Sequence, residues 1–362
     1  MKEKMRAGII GATGMVGQRF ITLLENHPYF TLTALAASER SAGKKYKDAV
    51  GSKWKMSVPI PDSVADTVVI NAADIDEMAK NCDFVFCAVN MKKDEIVALE
   101  EAYAKAELPV ISNNSANRWT SDVPMVIPEI NDAHLAVIEG QRKRLGTRRG
   151  FIAVKPNCSI QSYVPMLTPL LKYGIKEVVA TTYQAISGAG KNFDDWPEMR
   201  DNVIPYIGGE DEKSENEPLK LWGHVEDGKI VNAVLPVISA QCLRVACADG
   251  HMAAVSVTFK NKPTMEQIKE CWLNYETEAQ RLALPSAPKP FLQYFEDPTR
   301  PQTRLDRDFQ NGFGVSIGRL REDKIFDYRF VCLSHNTVRG AAGGGILTAE
   351  LLCRKGYIEH RS

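Results

Sequence analysis

Apolar residues open the chain as a compact run, AGII at 7–10, and then recur at helical spacing from about Val16 to Glu25. A second apolar run at 31–37 (TLTALAA) completes a strand–helix–strand start. Strands are predicted again near 67–71, 83–89 and 109–112, with the helical stretch DEIVALEEAYAKAE between the last two. Strands alternating with helices predict a doubly wound parallel sheet over roughly the first 150 residues.

The pattern then changes. Longer β-prone runs occupy 178–186, 230–237, 251–259, 314–320 and 326–333, and a helix fits Thr264–Ala279. In 251–259, Val255, Val257 and Phe259 alternate with small or polar residues, as a half-buried antiparallel strand requires. The second half therefore reads as α+β, one sheet backed by helices. Residues 284–304 carry five prolines and read as a long ordered loop, and the glycine-rich tail leads into a final helix. The expected division is 1–156, completed by a C-terminal helix within 337–362, and 157–336. Two domains suit 362 residues at roughly 100–200 residues each.

Charge narrows the range of partners. Lys plus Arg and Asp plus Glu are both 45, so no global field favours nucleic acid or an anionic membrane. Apolar runs such as FVFCAV are too short to span a bilayer, and the N-terminus carries no signal-peptide pattern. The eight cysteines form no C-x-x-C pair, so no metal site is expected and a reducing, cytoplasmic setting is. His27, His134 and His360 read as surface residues.

Candidate chemistry lies in two places. Gly11-Ala-Thr13-Gly14-Met15-Val16-Gly17 sits between a predicted strand and helix, where small residues admit a pyrophosphate and the helix start offers N–H groups. Read alone, the triplet is also what any tight turn needs; its flanks favour a Rossmann-type dinucleotide site. After the second strand, Ser38, Arg40 and Ser41 suit a 2′-phosphate and favour NADP, while a shifted register would aim Glu39 at a ribose hydroxyl. The second place is Pro156-Asn157-Cys158-Ser159, where a strand ends and a helix through Val164, Leu167, Leu170 and Leu171 is predicted to begin. A helix start and a nearby imidazole both favour a thiolate, and His251 at a strand start is the most site-like histidine.

GATGMVG, SNNSANR (112–118), PNCS (156–159), YQAISGAG (183–190) and the spacing R-x6-H from Arg244 to His251 together resemble the aspartate-β-semialdehyde dehydrogenase family. KPNCSIQ and GGEDEKSENEP resemble its archaeal and fungal branch. The resemblance spans nearly the whole chain. It implies NADPH-dependent reduction of L-4-aspartyl phosphate to L-aspartate 4-semialdehyde, on the route to lysine, threonine and methionine, by a homodimer or homotetramer formed through a catalytic and dimerisation domain. Cys158 would be the nucleophile, His251 the general acid/base and Gln184 an orienting residue, with Asn157 beside the thiol. Arg244 would meet the substrate carboxylate, Glu210 its ammonium, and Arg118 and Lys213 the phosphate. Asp211, Glu212 and Glu215 compete with Glu210, and without the resemblance 210–213 reads as a solvated charge run. Ser187, Gly188 and Asn336 would lie near the nicotinamide. An N-acetyl-γ-glutamyl-phosphate reductase and a non-catalytic NADP sensor remain alternatives.

Overall fold

The computed structural model describes residues 3–361. β1 (Met5–Ile10), β2 (Phe30–Ala37), β3 (Ile70–Asn71), β4 (Phe84–Cys87), β5 (Val110–Ser112) and β6 (Ile152–Val154) form one sheet in the order β3-β2-β1-β4-β5-β6. Every pairing in it is parallel. Ala7, Ile9, Phe84, Val85, Phe86 and Cys87 are fully buried, as strands covered on both faces must be. The chain reverses its winding between β1 and β4. Doubly wound sheets bind ligands at that crevice, beyond the carboxyl ends of the strands. The helix Gly343–Arg354 returns to this half and packs beside Met15–Leu24 and β5.

The second half is built on β7 (Ile175–Gln184), β8 (Val203–Ile204), a separate hairpin of β9 (His224–Glu226) and β10 (Lys229–Val231), β11 (Val237–Val245), β12 (His251–Phe259), β13 (Leu292–Phe295), β14 (Val315–Glu322) and β15 (Tyr328–Ser334). Seven of these strands form a mixed sheet in the order β13-β14-β15-β12-β7-β11-β8. β7 and β11 run parallel, while β12 lies antiparallel to both β7 and β15. Every second residue of β12 from His251 to Phe259 is buried, so the expected alternation is present.

Several elements depart from the sequence reading. The expected strand at 230–237 is two pieces, because Ala233 donates its amide to Leu219 and Pro236 has none to give a ladder. The expected helix at 264–279 is two, Met265–Leu273 and Glu278–Arg281, since Thr264 and Thr277 each start one with a capping box. The proline-rich stretch contains β13, paired in parallel with β14. After Cys158 there is no continuous helix. A 3-10 turn at Ile160–Ser162, one α-turn at Val164–Leu167 and a second 3-10 stretch at Thr168–Tyr173 follow one another, with Pro165 and Pro169 starting the last two.

Two histidines expected at the surface are buried. His27 bonds Glu350 at 2.9 Å and stacks on Phe30, and His134 lies between Asn131 and the Gly223 carbonyl. Burial pushes the His134 ring below its ordinary range. His360 is exposed, as expected.

A buried ion pair ties the tail to the first half. Arg339 of the tail donates to both oxygens of Glu129, at 2.7 and 3.2 Å, and to the Phe313 carbonyl, and it stacks on Phe291. Both side chains are at most 2% exposed. Removing one partner leaves the other charge buried and alone, so Arg339→Met should cost about 3–5 kcal/mol of stability. Guanidinium unfolding with the slope held free measures this; a loss below about 1 kcal/mol would show that the pair holds nothing together.

Candidate active site

The mixed sheet brings three of the predicted residues to one end. β7 and β11 are parallel and in register, so Gln184 and Arg244 are direct partners at their carboxyl ends. β12 runs the other way and begins there, with His251 as its first residue. The short connection between β11 and β12 explains the R-x6-H spacing. From the other sheet, β6 ends at Val154 and delivers Lys155-Pro156-Asn157-Cys158 to the same place. The Cys158 sulfur lies 3.5 Å from Nε2 of His251.

The ring orientation of His251 is fixed by the backbone. The Ala185 amide donates to Nδ1 at 3.1 Å, so a neutral ring carries its proton on Nε2, facing the sulfur. Burial, with Arg244 adding to it, pushes this imidazole well below its ordinary range, so it stays neutral through physiological pH. Burial also raises the Cys158 thiol, and Glu210 raises it further, whereas Lys155, Arg118 and Arg244 favour its thiolate. Of the two sources of ionisation expected from sequence, the imidazole is in place but uncharged, and no regular helix begins at Cys158.

The acidic cluster sorts itself by contact. Glu210 opens the helix Glu210–Leu221 and is buried, accepting from Asn157 Nδ2 at 3.0 Å, Gln184 Nε2 at 3.2 Å and Lys213 Nζ at 2.8 Å. Burial works to raise its carboxyl, but Lys213 and these hydrogen bonds win and hold it low. Asp211 and Glu215 point elsewhere and accept the amides of Cys242 and Ala240 on β11. Asn157 also accepts the Ser159 amide and hydroxyl, each at 2.7 Å, which fixes the turn carrying Cys158.

Arg118 and Glu217 form a buried pair at 2.9 Å, and Glu217 also accepts the Asn157 amide at 2.6 Å. Arg118 further donates to the carbonyls of Lys155 and Asn113. With three donors engaged, its guanidinium keeps two for a ligand. The sequence reading missed Glu217 although its motif was in view, because a glutamate on a highly charged helix carries no mark of burial.

A cavity of about 540 Å³ joins Cys158, Asn157, Glu210, Arg118 and Lys213 to Gly14, Met15 and Val16 of the first glycine turn, and to Ser187, Gly188 and Asn336. Gly11 has φ +90°, and a Cβ there would lie 2.4 Å from the Ala88 carbonyl oxygen; one at Gly17 would lie 2.3 Å from that of Gly11. Thr13 belongs to the same turn, and its carbonyl accepts from Gln18. Ser38, Arg40 and Ser41 lie outside the cavity wall, on a turn just past β2 in which the Ser41 amide bonds the Ser38 carbonyl. Asn336 donates to Ser187 and accepts the Gly250 amide, tying the SGAG loop to the start of β12.

Two glycines press on the reacting groups. A Cβ at Gly188 would lie 2.8 Å from Arg244 and 2.9 Å from His251, and one at Gly340 would lie 3.0 Å from Cys158. Lys155, Arg19 and Asn113 also line the cavity and were not singled out from sequence.

Comparison with known proteins identifies the family. Residues 6–138 match the family described as semialdehyde dehydrogenase, NAD binding domain, and residues 167–339 match semialdehyde dehydrogenase, dimerisation domain. The chain is 44% identical to an aspartate-semialdehyde dehydrogenase of Aspergillus fumigatus, over 98% of this chain and 99% of that one. It is 43% identical to one of Archaeoglobus fulgidus, over 97% and 98%. The crystal structure of the Candida albicans aspartate-semialdehyde dehydrogenase with NADP superposes with a TM-score of 0.88 at 42% identity, covering 98% of this chain and all of that one. A thiol facing an imidazole beside a dinucleotide turn, in a chain this similar over its full length, places the protein in the aspartate-semialdehyde dehydrogenase family.

Proposed function

We propose that this chain reduces L-4-aspartyl phosphate to L-aspartate 4-semialdehyde with NADPH, releasing phosphate, in the supply of lysine, threonine and methionine. The observation that carries the reading is the 3.5 Å approach of Cys158 to His251 above Glu210, Asn157 and Gln184. The glycine turn fits a dinucleotide, because side chains at Gly11 and Gly17 would collide with backbone. Gly11, Thr13, Gly14, Met15 and Val16 would hold the pyrophosphate, Ser38, Arg40 and Ser41 the 2′-phosphate, and Ser187, Gly188 and Asn336 the nicotinamide side. When bound, NADPH supplies a hydride to the acyl carbon.

The thiolate of Cys158 attacks the C4 carbonyl carbon. Its oxygen becomes an oxyanion that faces the Nε2–H of His251, a contact of a kind worth about 3–4 kcal/mol. The C4–O bond to phosphate then breaks, and phosphate keeps the bonding pair. After reduction the alkoxide re-forms its carbonyl, the C–S bond breaks, and Nε2–H again faces the departing sulfur. Arg244 holds the substrate carboxylate with donors its Ala185 carbonyl bond leaves free. Glu210 takes the substrate ammonium in competition with Lys213, which releases Lys213, beside Arg118, toward the phosphate. An acetylated amine has no charge for Glu210 to meet, which disfavours the acetylglutamyl alternative. A non-catalytic sensor has no use for the paired thiol and imidazole.

Residues 1–156 with 337–362 are the proposed dinucleotide half and 157–336 the catalytic and dimerising half. Val179, Tyr183 and Val237 are exposed on neighbouring strands of the second sheet, which supports a dimer, or a tetramer of dimers, closing over that face. Eight free cysteines support a reducing, cytoplasmic location.

Cys158→Ser should abolish turnover while NADP binding, followed by fluorescence, persists; turnover near wild type would remove Cys158 from the reaction. Glu210→Gln should cost about 1.5–3 kcal/mol of a charged hydrogen bond, roughly 10–100-fold in kcat/KM for aspartate semialdehyde. Most of that loss should fall in KM. An unchanged KM would place the ammonium elsewhere.

A further inference from the structure

Lys155 is a lysine with no evident structural reason to be buried. It is 3% exposed, and the one hydrogen bond of its ammonium runs 2.6 Å to the neutral Pro156 carbonyl. Among the described residues it forms no ion pair, so two of its donors and its whole charge are uncommitted. An ammonium buried this way is unfavourable unless an anion joins it. Lys155 lines the same cavity as Cys158, and one turn of the tail covers both. Gly340 would touch Cys158 through a Cβ, and Gly344 would bring one within 3.2 Å of the Lys155 side chain.

We infer that Lys155 is the counter-charge of Cys158, the cation that offsets the cost of a buried thiolate. The inference rests on Cys158 being the nucleophile, and Lys155 acts through that sulfur as a positioning residue.

The other sources of positive charge around the sulfur are neutral, paired or, for Arg244, set aside for the substrate carboxylate. His251 is neutral, with its proton already on the nitrogen that faces Cys158. Arg118 is paired with Glu217, Lys213 with Glu210, and Arg244 bonds the Ala185 carbonyl and awaits a carboxylate. Glu210 opposes the thiolate. Around Lys155 the charged neighbours are Cys158, Arg118, Glu217 and Arg339, and the last three largely cancel in their own pairs. Burial drives the ammonium down to about 7, and Cys158 is the largest influence restoring its charge. Lys155 is in turn the largest influence favouring the thiolate. Linkage requires the effect to be reciprocal.

The test is the pH dependence of Cys158 alkylation by iodoacetamide in the full-length protein, read at that residue by peptide mass. Removing a cation raises a thiol's midpoint. Lys155→Met should therefore move the midpoint up by about one unit and slow labelling at neutral pH about tenfold, while Lys155→Arg stays closer to wild type. A Lys155→Met midpoint equal to wild type, with NADP binding and melting unchanged, would overturn the inference. So would His251→Asn producing the larger shift.

Should Lys155→Met not fold, the unmutated protein answers through selectively ¹³C-labelled lysine. Capping Cys158 with a neutral methylthio group should lower the Lys155 titration midpoint, and no change would overturn the inference. Labelling that depends on Lys155 in a protein that does not reduce aspartyl phosphate would sink the proposed reaction and leave this inference standing.

Discussion

The contact between Cys158 and His251 exists only while two separately built sheets are held end to end. Cys158 leaves the last strand of the parallel sheet and His251 begins a central strand of the mixed one, so neither sheet alone contains a site. An approach of 3.5 Å leaves little room for the halves to slide, because reacting groups displaced by about an ångström lose much of their advantage. The tail supplies the restraint. Asn336 bridges Ser187 and Gly250, Gly340 rests on Cys158, and Arg339 reaches back to Glu129. The same segment then runs into the helix Gly343–Arg354, which packs against the first sheet.

The same geometry explains why so much charge is buried here. Glu210, Glu217, Arg118, Arg244 and Lys155 are all less than a tenth exposed. Isolated burial would neutralise such groups. Most are instead arranged in pairs or bonded to backbone, with Asn157 as the shared hinge: its side chain meets Glu210, and its amide meets Glu217. The turn bearing the nucleophile is thus fixed by two carboxylates from one helix, four residues before and three after Ser214, which also contacts Ser159. A preorganised polar site of this kind needs little rearrangement when charge develops on a substrate oxygen.

How much of this was legible in the sequence depends on whether the signal was local. The strand, glycine turn and helix at the N-terminus declare themselves through spacing, and β12 through its alternation. Gln184, Arg244 and His251 carry no local mark that they converge, since that follows from β7 and β11 being parallel while β12 opposes them. Burial of charge was the least legible property. Glu217 carries no local mark, and His27 and His134 read as surface, because their partners lie far away at Arg118, Glu350 and Gly223. Tertiary contacts of that range leave no periodic trace.

The broken helix after Cys158 was the most consequential misreading, since it removes a source of thiolate stabilisation. A long helix would aim a positive dipole end at the sulfur. Pro165 and Pro169 replace it with three short turns whose axes need not align, and short turns sum to little dipole. The chain gains something in exchange: short turns let the segment curl tightly enough for Tyr163 to bond the Ser214 carbonyl and for Ser159 to meet Ser214. Those contacts press the Glu210–Leu221 helix against the nucleophile's turn. The site thus has its carboxylates close at hand, at the cost of a helix dipole, and favouring the thiolate falls to the side-chain cations around the sulfur, Lys155, Arg118 and Arg244.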